Sequence, residues 1–276
     1  MPRGLPYPGR VRARVNRLRA IAAAVLLAAA PLAARAATPR TYAVGSFPVA
    51  PFLASVELPL RGDFRTELGA LLLTQGTYDD HDPFAYLSAA SPFAWLHFDG
   101  VPNLRLSAAF QEIFYRAVAP MGIRDSHEER FVGRARIQQP RGAAAVYELV
   151  QLDVRSFDDA TSTRQIVYRL RFRAGLGLNL DAQHIHSLVL FQEVAFRFSD
   201  SSYAVRPFDF FRAFIGYMWT TRRGTFVTLG LVGQISLSPA ATRYDFLWGP
   251  ALSATYRFRP AAPAEAPPPP AEVELP

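Results

Sequence analysis

From Arg164 to Leu180 the chain reads RQIVYRLRFRAGLGLNL, and its oily and polar residues alternate. Ile166, Tyr168, Leu170, Phe172, Ala174, Leu176 and Leu178 fall on one side of an extended strand. Gln165, Arg169, Arg171, Arg173, Gly175, Gly177 and Asn179 fall on the other, because side chains alternate faces with period two. Val167 is the exception. Three arginines in one row followed by two glycines suit a narrow, wet lumen, and the oily row suits lipid. Segments of similar length recur, roughly Asp63 to Thr74, Phe84 to Phe98, Leu104 to Arg116, His127 to Gln139, Ala145 to Phe157, Arg164 to Asn179, Ile185 to Phe198, Phe208 to Thr221, Thr225 to Leu237 and Asp245 to Phe258. Each is at least as long as the ~9–11 residues that a tilted strand needs to cross a bilayer, against ~5–6 for an ordinary soluble strand.

The pattern predicts an all-β fold: a transmembrane, antiparallel, up-and-down β-barrel of about ten strands over residues 63–258, with twelve as the alternative. An even count closes such a sheet with no edge left in lipid, and bacterial barrels of this kind keep both termini in the periplasm. Short, turn-rich connections near 99–103, 140–144, 180–184 and 222–224 then face the periplasm. Longer ones near 75–83, 117–126, 158–163, 199–207 and 238–244 face outward. Residues 37–62 carry prolines and no clear period, so they read as a periplasmic lead-in, although Phe52 to Leu60 is strand-like until Pro59. Aromatic residues near predicted strand ends, among them Trp95, Tyr115, Phe210, Trp219, Trp248 and Phe258, suggest girdles at the two membrane interfaces.

Charge changes the picture once residues 1–36 are set aside. Six arginines precede an apolar run from Ala20 to Ala34, and Ala34-Arg35-Ala36 is a cleavage pattern, which together make a secretory signal peptide. Removing its seven arginines leaves 30 − 7 = 23 basic residues against 23 acidic ones. The high pI therefore gives no support to a nucleic-acid partner. Cysteine and lysine are both absent, which excludes disulfides, thiol catalysis, lipoprotein acylation and Schiff-base chemistry. Residues 259–276 are proline- and alanine-rich and read as an extended, disordered periplasmic tail, with a periplasmic docking partner as its sharper reading. The implied location is the bacterial outer membrane, and the implied partners are membrane lipid, lipopolysaccharide and the barrel-assembly machinery.

From His127 to Phe258 the succession HEERFVGRARIQQ, YELVQLDVR, RQIVYRLRFRAGLGLNL, FQEVAFRF, FFRAFIGYMW and TYRF resembles the bacterial outer-membrane barrels of the domain-of-unknown-function 2490 family. The matching features are Glu129 with Arg130, Arg169 with Arg171, Glu193 with Phe196, and Arg212 with Gly216. The resemblance implies a barrel in the outer membrane and no known activity. The tail after Phe258 departs from it, because the closing aromatic normally sits at or near the C-terminus.

Parity places Arg130, Arg134, Arg136, Asp153, Arg155, Arg169, Arg171, Arg173, Glu193, Arg197 and Arg212 on one interior. Guanidinium and carboxylate pair bidentately, and an unpaired charge in such an interior is costly. A salt-bridge and water network that fills the barrel is the first reading, with Asp153 and Glu193 as partners of the three arginines. A basic constriction passing small anions is the second. His184 and His186 have the spacing of a metal pair but lack further ligands, so no metal or cofactor is assigned. Asp79, Asp80, His81 and Asp82, with Asp125, His127, Glu128, Glu129, Asp158 and Asp159, crowd the predicted outer mouth. That mouth is similar in kind to the omptin proteases, ten-stranded barrels with aspartate and histidine catalysts, but no motif is shared. No phosphate loop, metalloprotease helix or nucleotide fingerprint is present, so a structural or passive channel barrel is favoured over catalysis. A surface hydrolase, or a soluble periplasmic β protein holding an apolar ligand, is the alternative.

Overall fold

A computed structural model describes residues 43–118, 125–158, 164–198, 208–221, 223–237 and 243–258. The signal peptide and tail read in residues 1–36 and 259–276, with Tyr203 and Asp159, lie outside them. The described strands are β1 (Ala43–Pro59), β2 (Phe64–Gln75), β3 (Tyr86–Val101), β4 (Leu104–Tyr115), β5 (Ser126–Arg141), β6 (Ala144–Asp158), β7 (Arg164–Asn179), β8 (His186–Phe198), β9 (Phe208–Thr220), β10 (Thr225–Leu237) and β11 (Arg243–Arg257). They form one closed barrel in which each strand pairs with its sequence neighbours and β1 closes on β11. The all-β barrel is therefore as the alternation predicts, and its count is eleven.

The additional strand is β1, which corrects the reading of residues 37–62 as a lead-in. Pro48, Pro51 and Pro59 hid it, since proline cannot donate to a ladder. The barrel accommodates the first two at a break in the seam. Pairing to β11 runs from Ala43↔Arg243 to Pro48↔Trp248, lapses over 49–51, and resumes at Phe52↔Leu252. Opposite the break, Gly249 has φ +152°, and a Cβ there would overlap the Val49 carbonyl oxygen, so close backbone approach requires glycine. Inward-facing Phe47, Val49 and Leu53 hold β1 in place by burying their side chains.

An odd number of strands closes because β1 and β11 run parallel, unlike every other pair. The consequence corrects the expectation that both termini share a side: Ala43 lies at the end carrying the long connections, whereas Arg257 lies at the end carrying the short ones. Each short connection contains one residue with positive φ, namely Gly62, Asn103, Gly142, His184 or Gly224, as tight reversals require.

The two wall faces differ sharply. On β7, Val167, Arg169, Arg171 and Arg173 are buried while Ile166 and Tyr168 are exposed. The outward positions of the described strands carry charge only at Glu112, Glu129, Arg141, Glu148, Asp158 and Arg164, all toward strand ends. From Ile166 on β7 to Tyr256 on β11 the outward rows hold no acid or arginine, and Ile215, Trp219, Leu229, Leu231, Phe246 and Trp248 stand exposed there. Inside, Phe47, Val49, Tyr147, Val189, Phe191, Phe214, Met218, Phe226, Val232 and Ala251 form one apolar cluster, and Leu53, Leu71, Phe93, Trp95 and Val132 form another. Trp95, Tyr115 and Phe210 are thus lumen residues rather than parts of a girdle; their parity sets them inward although they lie near strand ends. Trp219, Trp248 and Phe258 are exposed on the outer surface.

Candidate functional site

Two layers of charge fill the lumen, and the larger lies toward the long connections. Strand pairing sets β6, β7, β8 and β9 side by side, with Asp153 opposite Arg169, Arg173 opposite Glu193 and Glu193 opposite Arg212. Glu193 is 1 % exposed and uses both oxygens: Arg171 donates to Oε1 from Nε at 3.1 Å and Nη2 at 2.7 Å, and Arg173 donates from Nε to Oε2 at 2.7 Å. Asp153, fully buried, lies 3.7 Å from Arg171 and 3.9 Å from Arg169, and Gln151 donates to its Oδ1 at 2.6 Å. Glu128 takes the Arg155 fork through Nε at 2.6 Å and Nη2 at 2.7 Å, Arg130 Nε at 3.0 Å and the Tyr115 hydroxyl at 3.0 Å. Asp209 pairs with both Arg169 and Arg197. Arg212 donates to Gln234 Oε1 at 2.7 Å.

Partnering explains why this many charges tolerate burial. Removing two ions from water costs several kcal/mol each, on the order of what close, multiply bonded contacts return. The aromatic floor adds ring faces: the Arg212 guanidinium sits 4.9 Å from the Phe210 centroid and that of Arg173 4.3 Å from Phe191.

The second layer lies toward the short connections. Glu57, 2 % exposed, receives Arg257 at 2.9 Å, with Arg65 at 3.5 Å and Arg105 at 3.7 Å. Arg105 also forks onto Asp99 at 2.7 and 2.9 Å. Buried His97 bridges Ser107 Oγ at 2.8 Å and Glu67 Oε2 at 3.2 Å and stacks on Trp95, over which the Arg134 guanidinium lies at 3.9 Å. Arg134 donates to Gln151 at 2.8 Å, joining the layers, and Arg136 donates to Gln138. A cavity of 40 Å³ lies at this level.

Above the larger layer the lumen opens into a cup of 180 Å³. One wall is apolar, from Val49, Pro51, Leu71, Leu73, Ala89, Ile113, Val232 and Leu247. The other presents Arg130, Arg155, Arg169 and Arg212, with Tyr115 and Gln234. Eleven residues were expected on the interior from parity; all eleven lie on inward rows, and Arg130, Asp153, Arg155, Arg169, Arg171, Arg173, Glu193, Arg197 and Arg212 meet in the cup layer. Arg134 and Arg136 belong to the level below.

Five acids in these layers, Glu57, Glu67, Asp99, Glu128 and Asp209, escaped the sequence reading as lumen residues. Glu128 shares the parity of Arg130, a signal that was available but was lost by grouping it with the outer acids. Asp209 has the opposite parity to Arg212, and a register shift between Ala195 and Phe196 turns it inward. Glu57 lies on the strand that the prolines concealed.

Among the described residues, which exclude Asp159, the outer-mouth constellation does not assemble. Asp80 Oδ1 caps the Asp82 amide at 3.0 Å, Asp82 Oδ1 caps the Phe84 amide at 2.9 Å, and Asp125 Oδ1 caps the Ala117 amide at 2.8 Å. Glu128 points into the lumen, Glu129 pairs with Arg164 outside it, and His127 stacks on outward-facing Phe114. At the short-connection end, His186 bonds the Tyr217 hydroxyl and His184 bonds Asn179 at 3.0 Å, so the two rings serve different partners. Asp181 accepts the backbone amides of Gln183, Ile185 and His186 at 2.8, 3.1 and 2.6 Å. Desolvation pulls its pKa upward, but those three donors outweigh it and hold the carboxyl below the usual carboxylate value.

Comparison with protein-family models finds no match, and comparison with curated proteins finds no significant relative.

Proposed function

We propose that the chain is an outer-membrane β-barrel with an occluded lumen, a membrane-anchored scaffold rather than an open pore. The observation carrying this reading is the separation of charge across the wall. The outward rows from Ile166 to Tyr256 hold no acid or arginine, while the inward rows hold both ion-pair layers. A soluble barrel has no reason to expose Leu229 and Leu231 at 59 and 62 % beside Ile215 and Trp219. The leader read in residues 1–36 supports export, and the outward belt suits acyl chains and lipopolysaccharide after insertion by the barrel-assembly machinery. Membership in the domain-of-unknown-function 2490 family is part of the same proposal and rests on the motifs quoted above.

Occlusion is favoured over conduction because, among the described residues, paired side chains and two apolar clusters occupy the lumen. The excess of arginine over acid favours the second reading, an anion channel. Fractionation with heat-dependent gel mobility and planar-bilayer recording test the pair together. A heat-shifting outer-membrane protein without steady conductance is expected. A freely soluble protein refutes the membrane reading. A steady anion-selective current that changes when Arg169, Arg171 and Arg173 become serine refutes occlusion.

A further inference from the structure

The cup combines features that neither a lumen plug nor a barrel wall requires. One wall is hydrocarbon, from Val49, Leu71, Leu73, Ala89 and Ile113, and the facing wall presents four guanidiniums. Among the described residues, Arg130 and Arg155 share the single carboxylate of Glu128. Donor capacity is also in surplus. A guanidinium carries five N–H donors. Arg130 makes two hydrogen bonds to described acceptors, to Glu128 and Gln111, and Arg155 makes two, both to Glu128.

We propose that the cup binds a small organic anion with an apolar body: a carboxylate on a ring or short chain. Size limits the ligand, because an apolar protein cavity of about 150 Å³ holds benzene, and the cup measures 180 Å³. Its carboxylate meets the Arg130 and Arg155 side, where charge-assisted bonds form in a water-poor setting. Its body lies against Leu71, Leu73 and Ala89. A long acyl chain exceeds this volume, and a bare inorganic anion leaves the apolar wall unsatisfied. The site rests on the occluded-barrel reading, since an open pore would pass such a solute without holding it.

The test uses the full chain folded in detergent, with sodium benzoate titrated calorimetrically and benzyl alcohol and acetate as controls. Benzoate is expected to bind saturably at one site, with each control at least about tenfold weaker, the order set by losing one charge-assisted bond or the apolar contact. Arg130→Gln weakens benzoate by about tenfold or more, and Ala89→Phe, which fills the apolar side without touching a charge, abolishes binding. If Arg130→Gln fails to give the heat-shifted folded band, Ala89→Phe carries the test alone. The proposal is overturned if folded wild-type barrel shows no saturation, if benzyl alcohol or acetate binds as well as benzoate, or if Ala89→Phe binds like wild type. Conductance is recorded on the same preparation, so failure of the occluded-barrel reading is scored separately from failure of the site.

Discussion

Replacing Glu193 by alanine removes the carboxylate that receives three hydrogen bonds from two guanidiniums at 3.1, 2.7 and 2.7 Å. The site is 1 % exposed, so water does not take over those donors. Arg171 retains Asp153 at 3.7 Å, while Arg173 loses its bond from Nε. Breaking a buried pair by deleting one partner typically costs about 3–5 kcal/mol, most of it from stranding the remaining charge. The expected loss for Glu193→Ala is therefore about 3 kcal/mol or more, roughly a hundredfold or greater fall in the folding constant. Glu193→Gln keeps the shape and one carbonyl acceptor, and should lose less. Arg173→Met with Glu193→Leu removes charge from both strands and should recover part of the single-variant loss, because apolar replacement of a whole buried pair is often neutral. Urea unfolding of lipid-reconstituted protein, followed by tryptophan emission, gives all three values. A Glu193→Ala loss within about 0.5 kcal/mol, the range of an ordinary surface change, would refute the view that these ion pairs hold the lumen closed.

Gly249→Ala should impair barrel closure, because the added Cβ overlaps the Val49 carbonyl at a φ of +152°; a folded-band yield equal to wild type on unheated gels contradicts the parallel seam. Asp181→Ala strips the acceptor from three turn amides and should destabilise the folded barrel at neutral pH. Because the carboxyl pKa is depressed by folding, its contribution is present above the ordinary value of 3.8 and fades as pH falls through the lower folded value. Denaturation curves of wild type and Asp181→Ala should accordingly begin to converge only as pH falls below about 4, and a gap that widens with acid refutes that sign. Glu57→Ala, which strands Arg65, Arg105 and Arg257 around a residue 2 % exposed, should cost about 3 kcal/mol in the same urea assay; no loss would mean that β1 is not tied into the wall through its acid.

Much of the wall was legible because period two is imposed by the backbone itself. The predicted Arg164 to Asn179 and Thr225 to Leu237 segments coincide with β7 and β10, and the other eight lie within a few residues of their strands. The interior row of arginines was legible for the same reason, since the period sets all of them on one face of β7. What was hidden follows from local exceptions to the period. Prolines masked β1, and with it Glu57 and the parallel seam. The register shift at Ala195/Phe196 put Asp209 on the wrong parity. Trp95 and Tyr115 look like girdle aromatics by position along the strand, and only their parity separates them from Trp219 and Trp248. The amphipathic cup was not legible because its two walls come from strands far apart in sequence, the apolar one from β1 to β4 with β10 and β11 and the charged one mainly from β5, β6, β7 and β9, and no local pattern couples Ala89 to Arg155.

The chain's three tryptophans report directly on the two faces of the wall. Trp219 and Trp248 are 47 and 40 % exposed on the outward rows, whereas Trp95 is 6 % exposed inside, under Arg134. Single-tryptophan variants, with the other two changed to phenylalanine, can be reconstituted into vesicles whose acyl chains carry bromine. Strong quenching of Trp219 and Trp248 with Trp95 left bright is the predicted result. Equal quenching of all three, or none of any, would contradict a barrel that faces lipid outside and packs its lumen with side chains.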